Sequence, residues 1–175
     1  GGQTPQVAFI SWSSPAATTQ HLYDTVYAAN VHPELWYRWK GKPLLLADPS
    51  QVNPAVASFF NIRMSWAWTN SSGWFAAGHD KWPWLDNWPQ HYGWNDAANI
   101  PEAICVGVAQ HPTGNYGRSH HNGYQPAADA YAETAHEGEG IGFQQQWDRA
   151  LAVDPEFIFI TQWNEWIAQR FTSPT

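Results

Sequence analysis

The sequence is poor in cysteine and in charge. Cys105 is the one cysteine among 175 residues, so the chain cannot form an internal disulfide framework. Charged side chains make up 13% of residues, with 8 Lys or Arg against 15 Asp or Glu, and the net charge is −7. An acidic chain without a basic run binds nucleic acid or anionic membranes poorly, and no apolar run is long enough to span a bilayer. We therefore expect no nucleic-acid partner and no membrane partner.

Tryptophan, by contrast, is abundant. The chain contains 13 Trp, and hydrophobic residues make up 43% of it, which is typical of a folded domain. This number of indole rings exceeds what a core of this size usually holds. Because flat apolar rings stack well against sugar rings, the composition favours a carbohydrate ligand.

The stretch 157–166, FIFITQWNEW, has the layout of an α/β active site. Its first part, Phe157–Thr161, is apolar, β-branched or aromatic, as in a strand buried on both faces. Glu165 follows within a polar and aromatic segment, and chemistry in α/β proteins lies at the carboxyl ends of parallel strands. We therefore predict that Glu165 is catalytic. The alternative is a structural carboxylate paired with Arg63 or Arg170.

The remaining sequence alternates between segments typical of strands and of helices. The predicted strands are Val7–Trp12, Leu44–Ala47, Phe59–Trp66, Ala103–Ala109 and Phe157–Thr161. The predicted helices are Thr18–Ala29, Pro54–Ser58 and Gly142–Ala152, with a further helical turn over Pro33–Trp39. Two long loops, Trp68–Trp94 and Gly114–Pro126, follow strands, and loops of this length are usually functional.

This alternation predicts an α/β fold with a parallel sheet. About five β/α units followed by long loops suit a (β/α)8 TIM-barrel type, in whole or in part, since a complete barrel needs about 250 residues. Arg63 supports a barrel, because a cation within a buried strand must face a polar interior. No repeat or linker is visible, so we expect residues 1–175 to form a single glycosidase-like domain, complete or a fragment of a larger catalytic domain.

Two further acidic residues are candidates for the site. Asp48 follows the second predicted strand and is either a second catalytic carboxylate or the cap of the next helix. Asp86 lies among tryptophans in the first long loop, where a substrate contact is expected. Glu102 begins its strand, at the wrong end of a barrel, and we expect a structural role for it.

The sequence predicts neither a metal nor a cofactor. The side chains of His120 and His121 diverge, and no third ligand has a helpful spacing. The glycines of residues 138–142 mimic a dinucleotide-binding loop, but no predicted strand precedes them.

The segment Ile160–Trp166, ITQWNEW, resembles the strand motif of the endo-α-1,2-mannosidase family, glycoside hydrolase family 99, and its relatives in family 71. The family motif runs Asn-Glu-Trp-His-Glu-Gly, and the resemblance implies a β/α-barrel glycosidase. It implies that Glu165 is the base that assists attack by the sugar's own 2-hydroxyl. The family's second glutamate, its acid/base, corresponds to Ala168 here, which cannot transfer a proton, so we expect a different specificity.

We therefore predict a glycoside hydrolase that cleaves a plant, algal or microbial polysaccharide or glycan by carboxylate acid/base catalysis. Glycosidases use two carboxyl groups, about 5–5.5 Å apart for retention and about 6.5–9.5 Å apart for inversion. Glu165 is one, and Asp48 or Asp86 is the other. The predicted substrate-binding residues are Trp163, Asn164, Trp166, Arg63, Trp66, Trp68, Trp84, Gln110, His111, Arg118 and Asn122.

Two alternatives stay open. One is a non-catalytic carbohydrate-binding protein of glycosidase fold, which the alanine at position 168 favours. The other is a fragment whose remaining barrel segment comes from a partner chain or from a longer protein, because an open barrel leaves strand edges unpaired. The expected location is extracellular or periplasmic, although no signal peptide is visible.

Overall fold

The structure is a computed structural model that describes residues 4–69, 73–86, 88–108 and 141–163. The chain divides into two units, Gly1–Ser65 and Trp66–Thr175, and each has its own hydrophobic core. Two such units are compatible with one domain or with two, so the single-domain prediction stays a prediction.

In the first unit, helices connect three parallel strands, β1 (Phe9–Ser11), β3 (Lys42–Ala47) and β4 (Asn61–Trp68). β1 pairs in parallel with β3, and β3 pairs in parallel with β4. Helix α1 (Pro15–Leu22) lies between β1 and β3 in the chain, and the short helix α2 (Pro54–Ala57) lies between β3 and β4. The predicted strand–helix–strand alternation is confirmed for this part of the chain.

Strand β2 (Arg38–Trp39) lies where the sequence predicts a helical turn over Pro33–Trp39. A short 3-10 helix occupies Pro33–Leu35, and β2 then pairs antiparallel with β3. Lys40 and Gly41 connect the two strands with positive φ angles of 49° and 83°. The prediction is therefore wrong for its second half, because a tight turn folds that segment into a hairpin.

The core of the first unit is aromatic. The ring centroid of Tyr27 lies 4.7 Å from that of Trp36 and 4.7 Å from that of Phe60. Tyr27 ends a π-helical turn, Tyr23–Tyr27, that extends α1, so the predicted helix Thr18–Ala29 begins three residues earlier, widens midway and ends two residues earlier. Packing of these rings against β3 fixes the first β/α unit.

The second unit contains four strands beyond β4 and one long helix. They are β5 (Lys81–Leu85), β6 (Tyr92–Trp94), β7 (Pro101–Gly107), α3 (Ile141–Val153) and β8 (Phe157–Thr161). β6 pairs antiparallel and β8 pairs in parallel with β7, so β7, α3 and β8 form a β/α/β unit. The predicted strand Phe157–Thr161 is confirmed at both ends, and the predicted helix Gly142–Ala152 is confirmed within one residue at each end.

The prediction that Trp68–Trp94 is an irregular loop is wrong, because β5 and β6 lie within it. Tryptophan and proline made this segment look like a loop, yet Trp82 and Pro83 are buried in β5. The indole Nε1 of Trp82 donates a 2.8 Å hydrogen bond to Glu102, and its ring centroid lies 4.7 Å from that of Phe157. Burial of these rings therefore outweighs the turn propensity of the local sequence, and the structural role expected for Glu102 is confirmed.

β8 is less buried than its sequence predicts. Phe157 to Phe159 are half-buried, and Ile160 is 42% exposed. Among the described strands β8 pairs only with β7, and Ile158 is the β8 side chain that packs into the core beneath α3. The expectation of burial on both faces is therefore wrong for the part of the chain that the structure describes.

The α/β class is confirmed. Hydrogen-bonded strands run in the order β1-β3-β4-β5, with β2 on β3, in a mostly parallel sheet of five strands. Within the described ranges, no helix has the length and apolar character needed to cross a lipid bilayer. The barrel itself stays a prediction.

Candidate functional site

Asp86, the residue directly after β5, is held by donors in its own unit. Its side chain is 1% exposed. It accepts hydrogen bonds from the Thr69 hydroxyl, from the backbone N–H of His91 at 2.6 Å and from Nδ1 of His91 at 2.9 Å. A buried carboxylate with several donors is kept in one orientation, because losing a donor would leave buried charge unsatisfied.

Gln90 fixes the backbone that carries His91. Its amide Nε2 donates to the backbone oxygen of Cys105 in β7 at 3.0 Å and to that of Gln146 in α3 at 3.2 Å. Gln90 is itself almost completely buried. The segment between β5 and β6 is therefore attached to the β7–α3 pair, which gives His91 a rigid base.

The Asp86–His91 pair leaves one ring nitrogen of His91 as a hydrogen-bond acceptor. The His91 side chain is 64% exposed although its Nδ1 contacts a buried carboxylate. When Nδ1 donates to the carboxylate, Nε2 carries the lone pair and is an acceptor. A carboxylate that fixes the tautomer of an imidazole in this way is a common device of general-base catalysis. The pair can therefore accept a hydrogen bond or a proton from a ligand hydroxyl group.

A cavity of about 440 Å³ lies beside this pair. His91 contributes to its wall together with three aromatic side chains and one cation, namely Phe75, Tyr92, Trp94 and Arg149. This size is within the range of small-molecule sites, which are mostly apolar with a few polar groups. We call it the β6 cavity, because Tyr92 and Trp94 belong to β6.

The end of β8 presents an exposed tryptophan and a strained residue. Trp163 is 65% exposed, and its role as a sugar platform stays a prediction. Gln162 before it has a φ of 60°, a left-handed conformation that costs a non-glycine residue about 1–3 kcal/mol and often marks functional sites. The predicted catalytic residue Glu165, with Asn164 and Trp166, lies outside the described residues.

Asp48 caps a short helix. Its carboxylate accepts from the backbone N–H of Ser50 at 3.0 Å, from the Ser50 hydroxyl at 2.7 Å and from Nε2 of Gln51 at 2.8 Å. Burial tends to raise the pKa of Asp48, but these hydrogen bonds outweigh it and hold the pKa below its usual value. This geometry favours the cap over the second catalytic carboxylate, since a general acid needs a raised pKa.

The guanidinium of Arg63 has partners within the protein, whereas the sequence predicted that it faces the polar interior of a barrel. It is buried, it lies over the indole of Trp39 at 4.7 Å, and its Nη1 donates to the backbone oxygen of Ile62 at 2.9 Å. A cation–π contact and a backbone acceptor can account for a buried guanidinium without a ligand. Its predicted contact with substrate stays a prediction.

Two predicted sugar platforms lie together. The rings of Trp66 and Trp84 have centroids 5.8 Å apart with an interplanar angle of 35°, and both side chains are half-buried. Their partial exposure leaves surface for a ligand. The other predicted contacts lie outside the described residues or side chains: Trp68, Gln110, His111, Arg118 and Asn122.

Sequence reasoning missed His91, Tyr92 and Arg149. The available signal was the spacing of Asp86 and His91, five residues apart in a segment rich in tryptophan. Arg149 gave no signal, because a basic residue in a helix is usually a solvated surface residue.

In the described ranges, no group of three or more His, Cys, Asp or Glu could hold a metal ion. His120 and His121 lie outside those ranges. Cys105 is completely buried, in keeping with a small hydrophobic role rather than a nucleophile.

No protein-family model, curated protein or solved structure matches this chain. The resemblance of residues 160–166 to the mannosidase motif therefore stays a prediction.

Proposed function

We propose that the protein is a glycoside hydrolase that acts on an oligo- or polysaccharide. The observation that carries this proposal is the buried carboxylate of Asp86, which holds the exposed imidazole of His91 at the wall of an aromatic cavity. Sugar sites combine aromatic faces for the ring carbons with oriented polar groups for the hydroxyls, and this part of the second unit contains both.

Three residues have separate roles in the proposed reaction. Glu165 is the carboxylate that reacts at the glycosidic bond, since it follows β8 and the exposed Trp163. His91 accepts a hydrogen bond or proton from a sugar hydroxyl, and Asp86 acts as a positioning residue through His91. The buried state of Asp86 makes direct contact with the glycosidic oxygen unfavourable.

The proposal also covers the fold of the chain and the place where it acts. We propose a β/α barrel of the family 71 and 99 type, and the mostly parallel sheet and the β7–α3–β8 unit support it. We also propose action outside the cytoplasm, on an extracellular or periplasmic glycan, without a cofactor. The resemblance of the Ile160–Trp166 motif to the strand motif of these families supports the barrel.

A non-catalytic carbohydrate-binding protein is the second candidate. Asp48 is engaged by the turn that it caps, Asp86 is buried, and position 168 holds alanine. Each of these observations removes a candidate for the second carboxyl group. Binding by the same aromatic rings would persist without hydrolysis.

Release of reducing sugars from a panel of polysaccharides tests the proposal. We expect wild type to cleave at least one of them and Glu165→Gln to lose about 10²–10⁴-fold in kcat, because an amide cannot transfer the proton. Glu34→Gln is the matched control, since Glu34 is an exposed carboxylate and its loss is expected to leave activity unchanged. Equal activity of wild type and Glu165→Gln would remove Glu165 from the site, and binding without any cleavage would establish the second candidate.

A further inference from the structure

Arg149 is a half-buried cation that contributes to the wall of the β6 cavity. Its Nε lies 3.4 Å from the backbone oxygen of Gln90, which is a long hydrogen bond. Among the residues that the structure describes, no carboxylate forms an ion pair with this guanidinium. A guanidinium offers five donors in a planar fork, and the described residues use few of them.

No residue that the structure describes at the wall of the cavity carries a negative charge. Its described lining residues are aromatic, small or neutral apart from Arg149, and none is Asp or Glu. The one nearby carboxylate that the site uses, Asp86, is buried behind His91 and hydrogen-bonded to it. A half-buried cation in such surroundings favours an anionic group of a ligand, because opposite charges attract more strongly near a protein surface than in bulk water.

The aromatic rings of the cavity are fixed in place. The hydroxyl of Tyr92 donates to the backbone oxygen of Ala98 at 2.9 Å, and Nε1 of Trp94 donates to that of Ala77 at 2.6 Å. Their polar atoms are therefore used within the protein. What the two rings can offer a ligand is apolar surface, which suits the C–H groups of a sugar ring.

We propose that the β6 cavity is a binding subsite for an acidic saccharide, a sugar ring that carries a carboxylate or a sulfate. The anionic group pairs with the fork of Arg149, the ring packs against Tyr92 and Trp94, and a hydroxyl donates to His91. This inference rests on the proposed function, of which it names the substrate class. Carboxylate and sulfate each present two anionic oxygens that arginine can bind with two parallel hydrogen bonds.

Isothermal titration of the full chain tests the subsite. The carboxylate probe is an oligogalacturonate, and its fully methyl-esterified form is the matched neutral ligand. The sulfate probe is a sulfated galactan oligosaccharide, and its desulfated form is the matched control. We expect wild type to bind one acidic probe at least about 10-fold more tightly than its neutral counterpart, as a charged hydrogen-bonded pair is worth about this much.

Three variants separate charge from geometry. Arg149→Gln is expected to lose this preference, and Arg149→Lys is expected to keep part of it, because an ammonium has the charge without the fork. Arg38→Gln makes the same charge change in the first unit and is expected to bind like wild type. Circular dichroism checks that each variant folds, which we expect for Arg149→Gln because its internal hydrogen bond is long.

Equal affinity of wild type for the acidic and neutral probes would overturn the subsite, and so would an unchanged preference in Arg149→Gln. Inorganic sulfate binding as tightly as the saccharides would also overturn it, by reducing the cavity to a simple anion site. The hydrolysis assay keeps the two proposals apart. Cleavage of a neutral polysaccharide without acidic preference would refute only the subsite, whereas Arg149-dependent binding without cleavage of any glycan would refute only the hydrolase.

Discussion

Oδ2 of Asp86 accepts two hydrogen bonds from the same residue, one from the backbone N–H of His91 at 2.6 Å and one from its Nδ1 at 2.9 Å. One carboxylate oxygen thereby fixes both the backbone and the ring of His91. Thr69 donates to the other oxygen, so the carboxylate itself cannot rotate freely. The exposed imidazole is therefore held in one orientation by groups that a ligand does not touch.

This pairing predicts non-additive losses of activity. Asp86→Asn and His91→Ala are each expected to lower kcat/KM by about 10²-fold or more, and the double variant to lose little beyond either one, since the residues act as a unit. Comparing kcat/KM of wild type, the two single variants and the double variant on the polysaccharide that wild type cleaves fastest measures this loss. Added imidazole is expected to restore part of the activity of His91→Ala, because the site of the missing ring is exposed. Additive losses without rescue would show that Asp86 serves the fold rather than the reaction.

Substitution of Asp48 by asparagine distinguishes a helix-capping role from a catalytic role. Asn caps helices about as well as Asp, so Asp48→Asn is expected to keep both stability and activity. Asp48→Ala loses the acceptor used by Ser50 and is expected to lower the free energy of unfolding by about 1 kcal/mol. Urea denaturation and the sugar-release assay measure the two effects. A fully stable but inactive Asp48→Asn would return Asp48 to the role of second catalytic carboxylate.

Gln146 joins α3 to β7. Its Oε1 accepts from the backbone N–H of Gly107 and its Nε2 donates to the backbone oxygen of the same residue, both at 2.9 Å. Gln146→Leu keeps the volume but leaves these buried groups unpaired, so we expect a loss of about 1–3 kcal/mol in the free energy of unfolding by urea. Gln144→Leu, at an exposed position of the same helix, is the control and is expected to change it by about 0.5 kcal/mol at most. Similar values for both would mean that the bridge adds nothing.

The raised pKa of Tyr27 predicts a loss of stability at high pH. Burial raises the pKa of Tyr27 from 10.0 to about 12, although the positive charge of Arg38 acts to lower this pKa. Between these values the unfolded chain releases the phenol proton and the folded chain keeps it, so the free energy of unfolding falls as pH rises from about 10 to about 12 and is unaffected below. Tyr27→Phe is expected to show a shallower decline in urea denaturation over this window. Its hydroxyl has no hydrogen-bond partner among the described residues, so little change is expected at pH 7. Parallel declines of both proteins would contradict the shift.

Cys105 is expected to resist thiol reagents in the folded protein. Burial, reinforced by the nearby charge of Asp86, raises the pKa of its thiol well above the usual value, and the reactive thiolate is therefore scarce at pH 8. Absorbance on reaction with a disulfide reagent should show one reactive thiol per chain in urea and almost none without it. Leu151→Cys, at a position 64% exposed, is the positive control and should react at once. Rapid native labelling of wild type would contradict the buried position.

Part of the fold could be predicted from local sequence. The strand Phe157–Thr161 and the helix near 142–152 were found because their apolar patterns are longer than a turn and bounded by polar or proline residues. β5 was missed because its residues, KWPWL, have loop-like composition, whereas in the structure Trp82 is buried and donates a hydrogen bond to Glu102 of β7. Propensity cannot anticipate such long-range burial.

The sequence by itself determined the α/β class and the wealth of tryptophan that favours a sugar ligand, and it marked Asp86 as a candidate among those tryptophans. Only the tertiary structure decided what Asp86 does, because Thr69 lies 17 residues before it in the chain and His91 meets its carboxylate only in the folded segment after β5. It alone also placed Arg149 of α3 in the wall that contains β6 residues, across 55 positions of sequence from Trp94. Local patterns record which face of an element is apolar, whereas a site is made where distant elements converge, and that convergence depends on packing of the whole unit.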